Sequence, residues 1–180
     1  KKLKFLHLFF IRLLVLNTNH IFFLGNAELE KARNTHKRYS EKFKFLPFCI
    51  DTEFWTDKSN KDITKNKNII FVGNDGNRDF ELLLKLAENL KQYNFIVVSS
   101  NEIFKRIDLP NVKIYSGFWG NEDISDSDLK DLYLKSKLSI IPLKESFQPS
   151  GQSVALQSMS LGIPVMITKT QGFWQKDIFS

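Results

Sequence analysis

Two stretches of the chain combine residue types and spacing suited to chemistry. The first reads Phe71-Val72-Gly73-Asn74-Asp75-Gly76-Asn77-Arg78-Asp79. Its two glycines let the backbone come close to a ligand, and the loop opens a segment with helical spacing, whose first N–H groups favour an anion. Arg78 adds a planar fork suited to phosphate. The loop has neither the third glycine of a dinucleotide fingerprint nor the Lys-Ser/Thr of a P-loop. A tight turn with Arg78 in a surface ion pair is the competing reading. The second stretch runs from Pro142 to Val165. A polar loop from Glu145 to Gly151 leads into a helix that Ser150-Gly151 starts and Gly162 ends, with Pro164 as the stop signal. Ser153, Gln157 and Ser160 share one face, and Ala155, Leu156 and Met159 share the other. A helix start with free N–H groups and a polar stripe suits a diphosphate joined to a ribose. Small serines that allow close sheet packing would explain Ser158 and Ser160, but not the Glu145–Gly151 loop.

These loops need a scaffold, and the pattern supplies one. Strands are expected at Asn68–Val72, Phe95–Val98, Val112–Tyr115, Leu138–Ile141 and Val165–Thr168. Helices are expected at Asp79–Leu90, Ser125–Leu134 and Gln152–Leu161, with a short one at Glu102–Arg106. Most strands are continuously apolar, which marks a parallel sheet covered on both faces, so residues 67–180 read as a doubly wound, Rossmann-like α/β domain. Such sheets bind ligands at their carboxyl edge, which directs attention to Gly73–Arg78, Ser116–Asn121, Pro142–Gly151 and Lys169–Gly172. Residues 51–66 are polar and read as a linker, with Trp55 packed against one domain. Before it, residues 1–50 predict a helix at Leu3–Asn17, short strands at His20–Leu24 and Phe43–Leu46, and a helix N-capped by Asn26. Gly172–Ser180 reads as the start of one more helix.

Composition limits the alternatives. The 180 residues are 42% hydrophobic and 26% charged, as in a globular chain large enough for a real core. The formal charge of +6 comes from basic residues scattered among acids and fits a solvated surface, with anionic lipid or phosphate-bearing substrates as lesser readings. No aromatic-plus-basic pattern of a nucleic-acid reader occurs, so nucleic acid is not expected as a partner. The lone Cys49 excludes an internal disulfide, fits a reducing cytosol and reads as a small buried hydrophobe. The apolar run from Leu3 to Leu16 carries Lys4, His7 and Arg12 and is shorter than the roughly 20 residues of a bilayer span. It reads as a helix packed on both sides, ahead of one dipping into a membrane surface. A cytoplasmic location, membrane-associated if that helix dips, follows as the expectation. His7, His20 and His36 lie ahead of the linker and read as structural, and no metal-ligand spacing is present.

With these residues in hand, the chain resembles the group-1 (family 4-like) glycosyltransferases of the GT-B fold. Their signature is an acid, a Gly opening a helix, a second acid, then Ala-Met-Ala-x-Gly-x-Pro-Val. Glu145, Gly151, Gln157, Met159, Gly162, Pro164 and Val165 fill the corresponding places. Leu46–Phe54 is similar to the family's linker, and Ile70–Gly73 followed by Arg78-Asp79-Phe80 to its first C-domain loop. The resemblance implies a donor-binding C-terminal domain preceded by the closing segment of the acceptor-side domain, cut short at both ends and inactive alone. It implies a nucleotide-diphosphate sugar as donor, retention of configuration, no cofactor and no metal. By carry-over Glu145 contacts the donor sugar as the catalytic acid position, and Gly151, Gln152 and Ser153 with Ser150 cradle the diphosphate. Gln157 takes the ribose position, Arg78 clamps the diphosphate, and Gly73 and Asn74 line the first loop. Gln157 stands where the family has an acid, so its bond to a ribose hydroxyl is uncharged and weaker. The gap from Glu145 to Gln157 is also longer than the family's. The acceptor, whether glycan, lipid-linked or small molecule, is not readable. A nucleotide-sugar epimerase-like protein, an inactive scaffold of the same fold and a doubly wound signalling module are the alternatives.

Overall fold

The computed structural model describes residues 2–57, 67–116 and 124–172. Two compact units emerge. The smaller comprises the chain to Phe48 with Ser146–Pro149 and the segment from Gln171, and the larger comprises Cys49–Glu145 with Ser150–Thr170.

In the smaller unit, helix α1 (Lys2–Asn17) leads to strand β1 (Ile21–Phe23), helix α2 (Asn26–Thr35), a 3-10 turn at Lys37–Lys42, and strand β2 (Phe43–Phe45). β1 and β2 pair in parallel, Phe22 opposite Lys44. Val15, Leu29 and Phe43 form a small core, with Ile11, Ile21 and Phe23 packed on it. The Lys42 ammonium donates to the carbonyls of Val15 (2.8 Å), Leu16 (3.2 Å) and Thr18 (2.8 Å), closing the C-terminal end of α1. Two expectations change here. Gly25, in extended conformation, is the N-cap of α2, and Asn26 is its first helical residue. From residue 9 on, α1 packs within this unit along one stripe, through Ile11 and Val15, rather than on both sides. Phe9, Phe10, Leu13, Leu14 and Leu16 are exposed, because an all-round apolar helix has more surface than one small core can cover. No helix among the described residues is long and apolar enough to cross a membrane.

The larger unit is the doubly wound domain. Its strands are β3 (Asn68–Val72), β4 (Asn94–Val98), β5 (Val112–Tyr115), β6 (Leu138–Ile141) and β7 (Val165–Ile167). They form one sheet in the order β5-β4-β3-β6-β7, every pair parallel. Helices α3 (Phe80–Asn89), α4 (Asp126–Leu134) and α5 (Gln152–Ser160) connect them, with a 3-10 turn at Glu102–Arg106. Strand residues alternate between two buried faces. Ile69, Phe71, Phe95, Val97 and Ile140 meet Phe80, Leu83 and Ala87 of α3 together with Phe104. Ile70, Ile96, Val98, Ser139 and Ile141 point the other way and are buried as well. Double-sided burial is why these strands read as unbroken apolar runs.

The helix ends follow their sequence signals. Asp79 caps α3 by accepting from Leu82 N at 2.9 Å. Ser125 and Asp128 form a reciprocal capping box at α4. Gly162, at φ 73°, turns the chain out of α5. Trp55 is buried, its ring edge-on to Tyr133 at 6.0 Å, and its carbonyl accepts the Ser160 hydroxyl. The Lys130 ammonium donates to Phe54 O at 2.6 Å. Cys49 is exposed, not buried as expected, because the segment around it has left the strand and joins no core. The Ser116–Asn121 loop beyond Ser116, and the helix start expected after Gly172, lie outside the described residues.

Candidate functional site

The order β5-β4-β3-β6-β7 reverses direction between β3 and β6. The chain leaves β3 toward one edge, then returns to β6 and runs to the other. Ligands of open α/β sheets bind where two such neighbouring loops part, at the carboxyl ends of the strands. The loops there are Gly73–Asp79 after β3 and Pro142–Gly151 after β6, the two that sequence reasoning singled out.

The backbone stitches these loops together. Asp79 N donates to Pro142 O at 3.0 Å, and Lys144 N to Asn77 O at 2.8 Å. Arg78 and Leu143 form an antiparallel bridge. The stitching places the Arg78 side chain inside the domain, 3% exposed. Its Nε lies 3.1 Å from Asp75 Oδ2 as an ion pair, without the alignment of a hydrogen bond. Its Nη1 is buried with no hydrogen-bond partner. Burial pulls the guanidinium below its ordinary value, and Asp75 and Tyr133 act against that pull. A surface ion pair, one of the two readings of this loop, is therefore not what forms.

Two glycines make room for that guanidinium. A Cβ on Gly73 would collide with Arg78 Nε, and one on Gly151 would fall 2.7 Å from Arg78 Nη1 and 2.6 Å from Ile141 Cγ2. Gly151 also sits at φ 78°, in the left-handed region, as the N-cap of α5. Gly151, as the N-cap, offers no side chain to cap this helix, and a buried guanidinium lies against its start. The helix start and the guanidinium below it both favour an anion, with the Asp75 carboxylate at the other edge of Arg78 offsetting part of that charge.

Asn74 Oδ1 accepts from Ser99 Oγ (2.8 Å) and Ser100 N (2.6 Å), locking the β3 loop to the turn after β4. Ser150 Oγ donates to both carboxylate oxygens of Asp75, at 3.0 and 3.1 Å. Gln152 is buried, Ser153 is half-buried and Glu145 is exposed. Gln157 is half-buried, and its Oε1 accepts the Tyr133 hydroxyl at 3.4 Å. The acceptor atom that sequence reasoning reserved for a ribose hydroxyl thus already has a partner. Burial pushes the Tyr133 phenol well above its ordinary value, with Ser158 and Arg78 opposing, so it is a donor across the working pH range.

The apolar face of α5 also differs from expectation. Gln152, Val154, Ala155 and Ser158 are buried, while Met159 is exposed. The helix lies close enough to β6 and β7 that small side chains suit the contact, and Ser158 answers its own hydroxyl through Val154 O at 2.7 Å. Sequence reasoning missed Asp75 and Tyr133. The available signals were an acid three residues before Arg78 in a glycine-bounded turn, and a tyrosine on an apolar helix face whose hydroxyl needs a partner. Among the described residues no cluster of three or more His, Cys, Asp or Glu could hold a metal.

Comparison with known proteins adds the following. No protein-family model matches the chain, and no curated protein matches it in sequence. Among solved structures it is similar to the catalytic domain of starch synthase IV from Arabidopsis thaliana bound to ADP and acarbose. The TM-score is 0.67 at 14% identity, covering 88% of this chain and 41% of that one. At that identity the likeness speaks for the fold: a Rossmann-like domain of the GT-B type. The chain spans less than half the length of the solved structure it matches.

Proposed function

We propose that this chain belongs to a glycosyltransferase and that its larger unit binds the nucleotide-diphosphate sugar donor. The observation that carries this reading is the buried Arg78 guanidinium between Gly73 and Gly151, against a glycine-led helix start at the switch point of a parallel sheet. A structural neighbour solved with ADP supports the nucleotide part of it.

On this reading the α5 N-terminus at Gly151, Gln152 and Ser153 holds the diphosphate through backbone N–H groups. Departure of the nucleoside diphosphate concentrates negative charge on that group. Arg78 and the helix start then act as preorganised positive potential, present before the reaction and needing no rearrangement during it. Arg78 works from below the cradle rather than as a surface clamp. Gln157, its Oε1 held by Tyr133, offers its amide N–H groups to the oxygen of a ribose hydroxyl. Glu145, exposed in the β6 loop, takes the donor-sugar contact. Transfer with retention and membership of the group-1 family follow from the motif resemblance, and the acceptor is unassigned.

The test is a binding titration of the chain with UDP, GDP, ADP and their sugar conjugates, repeated on Arg78→Ala and Gly151→Asp. Saturable binding to one diphosphate, weakened at least tenfold in both variants, supports the reading. Failure of all of them to bind, or binding indifferent to both substitutions, refutes it.

A further inference from the structure

We propose that Asp75 is a positioning residue of the anion cradle, holding Ser150 and Gly151 over Arg78 so that the α5 N-terminus is set for a diphosphate. The proposal rests on the donor-site reading and deepens it.

A carboxylate beside a phosphate site is at first sight a liability, since it repels the ligand. Its placement argues otherwise. Asp75 addresses the Nε edge of Arg78, at 3.1 Å, whereas Nη1 is the atom that lies against Gly151. The two edges of the fork are therefore divided: one faces the internal carboxylate and the other faces the helix start. Arg78 is 3% exposed, and a buried cation without any counter-charge is strongly destabilising. Asp75 supplies that counter-charge from a position that stays half open to water, where its own repulsion of a ligand is screened.

The same carboxylate has a second task. Both of its oxygens accept the Ser150 hydroxyl, at 3.0 and 3.1 Å, and Oδ1 also accepts Asn77 N at 3.0 Å. Asp75 thus ties the β3 loop to the residue just ahead of Gly151. Without this tie the β6 loop would be fixed near Lys144 by the backbone, and the helix start would lose its side-chain anchor. Positional errors of about an ångström in a charge-binding cradle are enough to cost binding.

The two roles that a carboxylate can have here predict effects of opposite sign. A positioning residue weakens binding when removed, and a competing anion strengthens it. The experiment measures dissociation constants for UDP, GDP, ADP and inorganic pyrophosphate on wild type, Asp75→Ala, Asp75→Asn, Ser150→Ala and the Asp75→Ala/Ser150→Ala double variant, with a melting curve for each. Expected are a loss of about tenfold in Asp75→Ala and a milder loss in Asp75→Asn, which keeps an oxygen acceptor for Ser150. The double variant should bind no worse than Asp75→Ala alone, because both substitutions remove the same hydrogen bond. Tighter binding in Asp75→Ala or Asp75→Asn, or fully additive losses in the double variant, would overturn the proposal while leaving the donor site standing. Should Asp75→Ala not fold, the Asp75→Asn and Ser150→Ala pair decides by the same signs. Absence of binding by wild type removes the donor site and this proposal together.

Discussion

On the proposed reading, Arg78 is a side chain that serves binding and taxes stability at once. A guanidinium 3% exposed, with Nη1 unpartnered, is held where an apolar side chain of similar length would rest more easily. Arg78→Met should therefore leave the denaturation midpoint unchanged or raise it, while abolishing diphosphate binding; a joint loss of both would mean that Arg78 is structural. Gly151 carries the opposite balance. Any Cβ there meets Ile141 and Arg78 in a left-handed backbone, so Gly151→Ala should cost about 2–4 kcal/mol in chemical denaturation. Tyr133→Phe removes the hydrogen bond to Gln157 Oε1, with an expected cost of about 1 kcal/mol. It should also change how Gln157 meets a ribose, which comparing a nucleoside diphosphate with pyrophosphate would reveal.

At the scale of elements, the most legible parts of the sequence were those where local and tertiary signals agree. β3, β5, β6 and the 3-10 turn fall where their apolar runs and flanking polar residues place them. β3 and β6 are buried on both faces, so nearly every residue carries the same message, whereas β5 lies at the sheet edge with Lys113 and Ile114 exposed. Helix starts were legible where a side chain does the capping, as at Asp79 and Ser125. Asn26 misled because α2 opens on Gly25, whose extended backbone suffices without a side-chain cap. The buried face of α5 misled for a different reason. Where a helix lies close on a sheet, size selects the contact residues, so Ser158 goes in and Met159 stays out. No hydrophobic period records that choice. Gly73 and Arg78 were singled out, but the glycine was read as room for a ligand, and that it makes room for a buried Arg78 depends on strand order, which local pattern does not contain. The α4 capping box offers a pH test. The Ser125 hydrogen bonds hold the Asp128 carboxyl below 3.8, so its contribution is complete above that pH and is lost as pH falls through the lower folded value. Ser125→Ala should lower the melting temperature by roughly 2–4 °C at neutral pH, with the difference narrowing in acid.

At the scale of the molecule, charge and chemistry are separated along the chain. Lys1–Phe48 holds ten basic residues against three acids, so that segment accounts for the whole excess of +6 and the remainder is close to neutral. On the proposed reading, attraction for an anion at α5 is therefore local, built from one helix start and one guanidinium whose charge Asp75 partly offsets. Trp55 belongs energetically to the larger unit, through Tyr133 and Ser160, and Trp55→Ala should destabilise that unit by about 3–5 kcal/mol in a denaturant titration.

The sheet order has a kinetic consequence. β3, β4 and β5 follow one another in the chain and pair as neighbours, as β6 and β7 do. The β3–β6 pairing joins Ile69 to Leu138 and Ile70 to Ser139 across the long excursion through β4, β5 and α4, so it carries the largest loop-closure entropy in the sheet. That seam is expected to close last and to open first. Arg78, Gly73 and Gly151 all lie on it, so the cradle does not exist in any half-formed sheet. A bound diphosphate would then act as a clasp across the slowest joint in the fold, protecting the amides of β3 and β6 from hydrogen exchange more than those of β5.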